Sequence, residues 1–426
     1  MTLKIVGVSF ELHDTWAIIN KIKSNKANNL SNSSSSLLLK YRGIMTTSYD
    51  VVCYAFCYIG MLTGPYYTYR TFDDMVRGWP SKAPRLSSGP FLRRLQDVPF
   101  FAFLYIVGSY FVDFDVLHNP AFYEESLLYR LAYIAAIFFV YRMRLYFAWV
   151  MGECVCMSVG LGAYPAISRP VVGDGPTDFE ALDRWMSQFE QKGDIDSQHS
   201  NDHYMHYLNN ANSSPPNDED PVVIESRSHF YNYATIQTVS VWKCEFSPSI
   251  RESFRAYNQT LYYWVDKYVY QRSVGPWILR SASTLLINSL WYGIQPVYFV
   301  VHLTLPLIAL AEDGMATVVA FFGLSLPPGG LTFIRWFFQM RSIDYLAAGW
   351  ILLSFQEAYE LWSSFGFFVQ VIGVVLGIAH FIMIRFVSDF ERWTVENPGA
   401  DVAEATARNL STTGKAWESP VIDGYV

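Results

Sequence analysis

SSFGFFVQVIGVVLGIAHFIMIRF, residues Ser363–Phe386, holds about twenty apolar residues and no acidic one. An α-helix of that length covers roughly 30 Å, the thickness of bilayer hydrocarbon. The stretch therefore predicts a membrane-spanning helix, with Arg385 near its end able to snorkel toward the interface. Working outward, further apolar runs lie at Tyr49–Leu62, Val98–Val112, Leu128–Val150, Trp277–Leu290, Pro296–Ala311, Val318–Leu326 and Tyr345–Phe355. Several are shorter than the roughly twenty residues an upright helix needs. Backbone polar groups in hydrocarbon must be satisfied within the fold, so these runs predict short, tilted or re-entrant helices held by their neighbours. The expected fold class is all-α, a polytopic bundle of membrane helices.

Composition points the same way. The chain is 51% hydrophobic and 17% aromatic, which suits Trp and Tyr belts at a lipid–water boundary. A net charge of −7, with no basic run interleaved with aromatics, argues against a nucleic-acid partner. Cys53, Cys57, Cys154, Cys156 and Cys244 form no C-x-x-C pair, and their expected role is buried packing. No ligand spacing for zinc or another metal stands out, so no metal and no resident cofactor is expected.

Five segments follow from the pattern. Residues 1–48 read as a polar leader: Lys4, Glu11 and Asp14 interrupt the first twenty residues, and Ser24–Ser36 is an Asn/Ser-rich linker. Residues 49–170 and 231–390 carry the two halves of the membrane core. Between them, residues 171–230 hold about a dozen Asp and Glu against three basic residues and are expected to form a disordered, cytosolic acidic loop. Residues 391–426 form a polar tail. Arg70, Arg77, Lys82, Arg85, Arg93 and Arg94 cluster within residues 66–98 and place that stretch on the cytosolic side.

Among residues able to carry chemistry, Asn258 comes first. If RESFRAYNQTLYYWVDKYVYQR (Arg251–Arg272) is one helix, Phe254, Asn258, Leu261 and Val265 share a face that is otherwise apolar. An unpaired buried amide costs about 1–3 kcal/mol, so Asn258 needs a partner or a task. A structural bond to neighbouring backbone is the simpler account. Arg142 and Arg144 interrupt a lipid-compatible run, with Glu153 about three turns on. Either they form an ion pair with Glu153, or they anchor a phosphate or an anionic lipid headgroup. His302 and His380 are the histidines inside apolar runs, and each reads first as a satisfied core histidine.

Five motifs then occur in a recognisable order: FCYIGMLTGPYYTYRTFDD from Phe56, FVYRMRLYFAWVMGECVCMSVGLGAYP from Phe139, RAYNQTLYYWVDKYVYQR from Arg255, LRSASTLLINSLWYGIQPVYF from Leu279, and FFQMRSIDYLAAGW from Phe337. Together they resemble the membrane-bound O-acyltransferases, most of all the lysophosphatidylinositol acyltransferase branch, over roughly Tyr49 to Met383 apart from the acidic loop. The resemblance implies a multi-pass protein of the endoplasmic reticulum membrane, whose helices enclose a tunnel for acyl-CoA and a lysophospholipid. It further implies that this chain lacks helices the family carries at its N-terminus. Acyl-CoA would be a substrate, and the partners would be that thioester, the lysophospholipid and the surrounding lipids.

The resemblance also implies two site residues. Asn258 matches the family's Asn. In the family's Trp-His-Gly motif, this chain has Trp291, Tyr292 and Gly293, so a tyrosine stands where the general base is expected. Trp291 in that motif is an expected substrate-binding position, as are Arg142 and Arg144 on the charge argument above, where the ion pair remains the alternative. Gln295 stands where near relatives in this branch show a second His. A phenol titrates near pH 10 and an imidazole near about 6.5, so Tyr292 is a poor base at neutrality. Losing a general base costs about 10²–10⁴ in rate. On a straight helix, His302 would lie about 80° round and about 15 Å along from Tyr292, too far to replace it. Two readings stay open: a lysophospholipid O-acyltransferase, or a family member that binds lipid as a scaffold without turnover. A transporter is supported only by helix count and intramembrane charge.

Overall fold

A computed structural model describes residues 1–25, 46–77, 88–192 and 231–396. Apart from one antiparallel two-stranded ribbon, Tyr164–Pro165 with Tyr231–Asn232, its regular structure is helical. In chain order the helices used below are α1 (Thr2–Asn25), α2 (Ser48–Phe56), α3 (Tyr69–Arg77), α4 (Ser88–Leu95), α5 (Asp97–Phe111), α6 (Leu127–Ser158) and α7 (Phe179–Lys192). They continue with α8 (Val241–Phe246), α9 (Ile250–Tyr257), α10 (Gln259–Val265), α11 (Trp277–Tyr292), α12 (Pro296–Phe321), α13 (Gly330–Leu352), α14 (Phe355–Ser364) and α15 (Phe368–Glu396). Three helical stretches among the described residues are long and apolar enough to cross a membrane: Leu127–Ser158, Pro296–Phe321 and Phe368–Phe390. The all-α expectation holds.

The helices gather into two compact units. The first comprises residues 1–99, 147–238 and 259–264. Its core joins Val8, Tyr54, Tyr67, Tyr69, Cys156, Leu161 and Ile236. The start of the expected polar leader joins this core through Val8, with Leu12 packed against it. Thr2–Asn25 is a helix, and two of its charges, Lys4 and Glu11, are buried inside the unit. Lys4 donates to the Tyr67 hydroxyl (2.6 Å) and the Cys57 carbonyl (3.2 Å), and a Glu11 carboxylate oxygen accepts from the Tyr69 N–H (3.1 Å). Burial holds the Lys4 ammonium below its ordinary pKa. The Trp264 indole N–H donates to the Leu3 carbonyl at 3.1 Å. Charges in that segment looked polar in sequence because their partners lie far along the chain. The linker from Lys26 onward lies outside the described residues.

The acidic stretch also begins in ordered form. Val171 and Gly175 exchange backbone hydrogen bonds, and Asp178 caps α7 by accepting from the Ala181 N–H at 2.9 Å. Ala181, Leu182 and Trp185 bury one face of α7, an i, i+1, i+4 stripe that outweighs the acidic composition. Disorder expected from residue 171 is thus corrected as far as Lys192. Residues 193–230 and the tail from 397 lie outside the described residues.

The second unit comprises residues 100–146, 239–258 and 265–426. Its core links Ile134, Ile137, Val297, Val301, Ile308, Tyr345, Trp362 and Val369. The runs Pro296–Ala311 and Val318–Leu326, expected as two spans, form one helix through Phe321. α12 and α15 pack closely: a Cβ on Gly314 would overlap the Leu376 carbonyl, and Thr317 bonds His380 Nδ1 at 2.8 Å. His380 is the satisfied core histidine expected of it. The stretch Ser363–Phe386 turns at Gly366 and Phe367 before α15 begins at Phe368.

Candidate active site

Arg142 is 6% exposed and fully engaged. Its Nε and Nη2 donate to the two Glu245 oxygens (2.8 and 3.1 Å), while Nη1 donates to Asp344 at 3.1 Å. Tyr146 donates to the same Glu245 at 2.7 Å, and Arg341 closes the far side of Asp344 at 2.6 Å. A bidentate guanidinium between two carboxylates ties α6 to α8 and α13. The expected Glu153 pairing is corrected. Glu153 accepts instead from Arg94 Nε (2.6 Å) and from the Thr238 N–H (2.6 Å), within the first unit. Each of its three guanidinium nitrogens donates to a protein carboxylate, so Arg142 holds these helices together.

Two residues on, helical geometry turns the side chain about 200°. Arg144 is exposed and, among the described residues, has no ion pair. It lines a cavity of about 290 Å³ together with Tyr105, Phe114, Tyr141, Trp350 and Ile351. One guanidinium is therefore structural and the other open to a ligand.

The segment holding Asn258 is fixed from the opposite end. The buried Glu312 accepts from the Ile250 N–H at 2.9 Å, anchoring the start of α9, and Arg251 pairs with Asp313 through bonds of 3.1 and 2.6 Å. α9 stops at Asn258, whose backbone (φ −150°, ψ 74°) leaves the helix before α10 starts at Gln259. Phe254, Asn258, Leu261 and Val265 therefore do not share one helical face. The sequence reading missed this break. Asn258 is half-buried, and its neighbour Tyr257, with a buried hydroxyl, lies within electrostatic range of Tyr292 and Tyr141.

The surroundings of Tyr292 differ most from expectation. α11 ends at Tyr292, and Gly293 (φ 155°, ψ 172°) redirects the chain into α12 at Pro296. A Cβ on Gly293 would come within 2.7 Å of the Tyr298 ring, so a glycine is required at this corner. Because the chain reverses there, the Tyr292 and His302 rings lie only 5.3 Å apart, centroid to centroid. The straight-helix separation is corrected. Trp350 completes the group, stacking on Tyr292 (5.5 Å, 15°) and lying 5.9 Å from His302. Trp291, one residue earlier, is 46% exposed at the end of α11.

Two polar atoms in this three-ring group are buried and, among the described residues, without a hydrogen-bond partner: His302 Nε2 and Trp350 Nε1. His302 Nδ1 sits 2.7 Å from the Tyr298 carbonyl oxygen. A carbonyl only accepts, so Nδ1 carries the proton and Nε2 keeps its lone pair. The site therefore holds one buried acceptor, one buried donor and, through Trp350, an adjoining cavity with an unpaired cation.

Against known proteins, the sequence model of the MBOAT, membrane-bound O-acyltransferase family matches residues 10–343. The chain belongs to this family. It is 30% identical to the membrane-bound acylglycerophosphatidylinositol O-acyltransferase of Xenopus laevis over 379 residues, covering 88% of this chain and 70% of that protein. The human protein of the same description is 29% identical over 388 residues, covering 89% and 72%. The Caenorhabditis elegans protein is 26% identical over 386 residues, covering 87% and 70%. Membership makes this chain a helical membrane protein of acyltransferase type. No group of three or more His, Cys, Asp or Glu side chains able to hold a metal occurs among the described residues.

Proposed function

We propose that this chain is a multi-pass protein of the endoplasmic reticulum membrane that transfers an acyl group from acyl-CoA to the free hydroxyl of lysophosphatidylinositol, in phospholipid remodelling. Its similarity to acylglycerophosphatidylinositol O-acyltransferases across nearly nine-tenths of its length carries the reading. The cavity lined by Arg144 supports it: an unpaired guanidinium beside aromatic walls suits the phosphate of an anionic glycerophospholipid. Asn258, at the break between α9 and α10, orients a reacting group or stabilises developing charge, the part the family's Asn implies.

Catalysis here means acyl transfer with CoA as leaving group, and such transfer needs a base for the acceptor hydroxyl. Tyr292, at the position of the family's histidine, favours a second reading in which the protein binds its lipids without turning them over. One experiment separates the two. Membranes containing the protein are given radiolabelled acyl-CoA and a panel of lysophospholipids. Incorporation into phosphatidylinositol above that of an Asn258→Ala control supports the enzyme. Binding without incorporation supports the second reading.

A further inference from the structure

The geometry around Tyr292 points to a relocated base: we propose that His302 Nε2 takes the proton of the acceptor hydroxyl and that the Trp350 indole N–H binds the thioester carbonyl oxygen. This rests on the acyltransferase reading above. His302 and Trp350 leave a matched acceptor and donor buried in one group of rings, beside a cavity of about 290 Å³ that Trp350 and Arg144 share. A buried polar atom without a partner costs about 1–3 kcal/mol. A hydroxyl and a carbonyl in contact would satisfy both.

Three local features prepare His302 for this work. The Tyr298 carbonyl fixes the proton on Nδ1, which leaves Nε2 as the basic nitrogen. Pro306, four residues on, has no N–H to offer the His302 carbonyl, so α12 is locally weakened at this turn. Tyr292 lies tilted by 34° to the imidazole and gives Nε2 no hydrogen bond, so the phenol packs beside the base without capping it. Moving the base ten residues along the chain leaves it next to the family position because Gly293 folds α12 back toward α11.

The step balances. As the hydroxyl oxygen bonds to the thioester carbon, its proton passes to His302 Nε2. The negative charge on the former carbonyl oxygen is met by the Trp350 N–H. The C–S bond then breaks, its electron pair leaves on sulfur, and the imidazolium returns the proton to that sulfur as free CoA. Histidine suits both transfers because its unperturbed pKa, about 6.5, lies near working pH.

The test uses the full chain in nanodiscs. His302→Gln should lower kcat for acyl transfer to lysophosphatidylinositol by about 10²-fold or more, with the Kd for a non-hydrolysable acyl-CoA analogue within about threefold of the parent. Trp350→Phe keeps the ring and loses the N–H, and should lower kcat by about 10²-fold. His302→Gln combined with Tyr292→His should regain at least about tenfold, a rescue that a purely structural histidine would not give. Parent-like kcat in His302→Gln overturns the proposal. So does a parent chain that binds the analogue and lysolipid yet transfers nothing, an outcome that leaves the ligand class standing. A parent chain that neither binds nor transfers sinks the acyltransferase reading itself and the relocated base with it.

Discussion

The Arg142 guanidinium meets the Glu245 carboxylate edge to edge, with Nε to Oε1 at 2.8 Å and Nη2 to Oε2 at 3.1 Å. Both side chains are largely buried, and Asp344 occupies the remaining nitrogen. Removing one partner of a buried pair leaves uncompensated charge and costs about 3–5 kcal/mol. Arg142→Ala should therefore destabilise the second unit by that amount, read as lost thermal stability in detergent. Arg142→Lys should rescue little, since an ammonium cannot form the bidentate fork. Parent-like melting of Arg142→Ala would refute the structural assignment.

Arg144, two residues on, should behave in the opposite way. Arg144→Ala removes no protein partner, so stability should change by less than about 0.5 kcal/mol. Its effect belongs to the ligand: KM for lysophosphatidylinositol should rise several-fold while kcat stays near the parent value. Equal rises for lysophosphatidylinositol and for an uncharged monoacylglycerol would exclude the phosphate contact.

Gly293→Ala tests the corner between α11 and α12. The substitution places a Cβ against the Tyr298 ring on a backbone that side-chain-bearing residues rarely adopt, at a cost of about 1–3 kcal/mol. It should also pull Tyr292 away from His302, so acyl transfer should fall further than the melting temperature alone explains. Matched activity in Gly293→Ala and parent would mean that the juxtaposition does not matter to turnover.

Glu312→Ala leaves the Ile250 N–H without its acceptor at the start of α9. A loss of about 1–3 kcal/mol is expected for the unsatisfied donor. Hydrogen exchange should rise in residues 250–257, the helix that ends at Asn258, before it rises in α15. Unchanged protection of that helix would show that Glu312 does not hold it.

Helix class and the long spans were legible because apolar runs of that length have few alternatives in water or lipid. The motif around Asn258 and the departure at Tyr292 were equally readable. What escaped were relationships set by chain reversals. The string Gly293-Ile-Gln-Pro296 carries a glycine and a proline, the usual marks of a helix end, and a straight helix drawn across it separates Tyr292 from His302. Once that turn is drawn, His302 ceases to be an ordinary core residue. Lys4, Glu11 and Glu153 were misread for a different reason. A charge shows in sequence, but its partner 50 or more residues away does not, and such pairs turn a polar-looking segment into interior.

The bond from the Trp264 indole to the Leu3 carbonyl has a consequence for how the protein is made. Its two ends are separated by 261 positions, so the ribosome has synthesised well over half of the chain before the bond can form. The partners of Lys4 and Glu11 at Cys57, Tyr67 and Tyr69 are made long before, so the amino-terminal helix is first held by those bonds and receives the Trp264 contact last. Contacts this distant in sequence are slow to close, yet every residue of the first unit precedes position 265, so it can close while α11 to α15 of the second are still to be made.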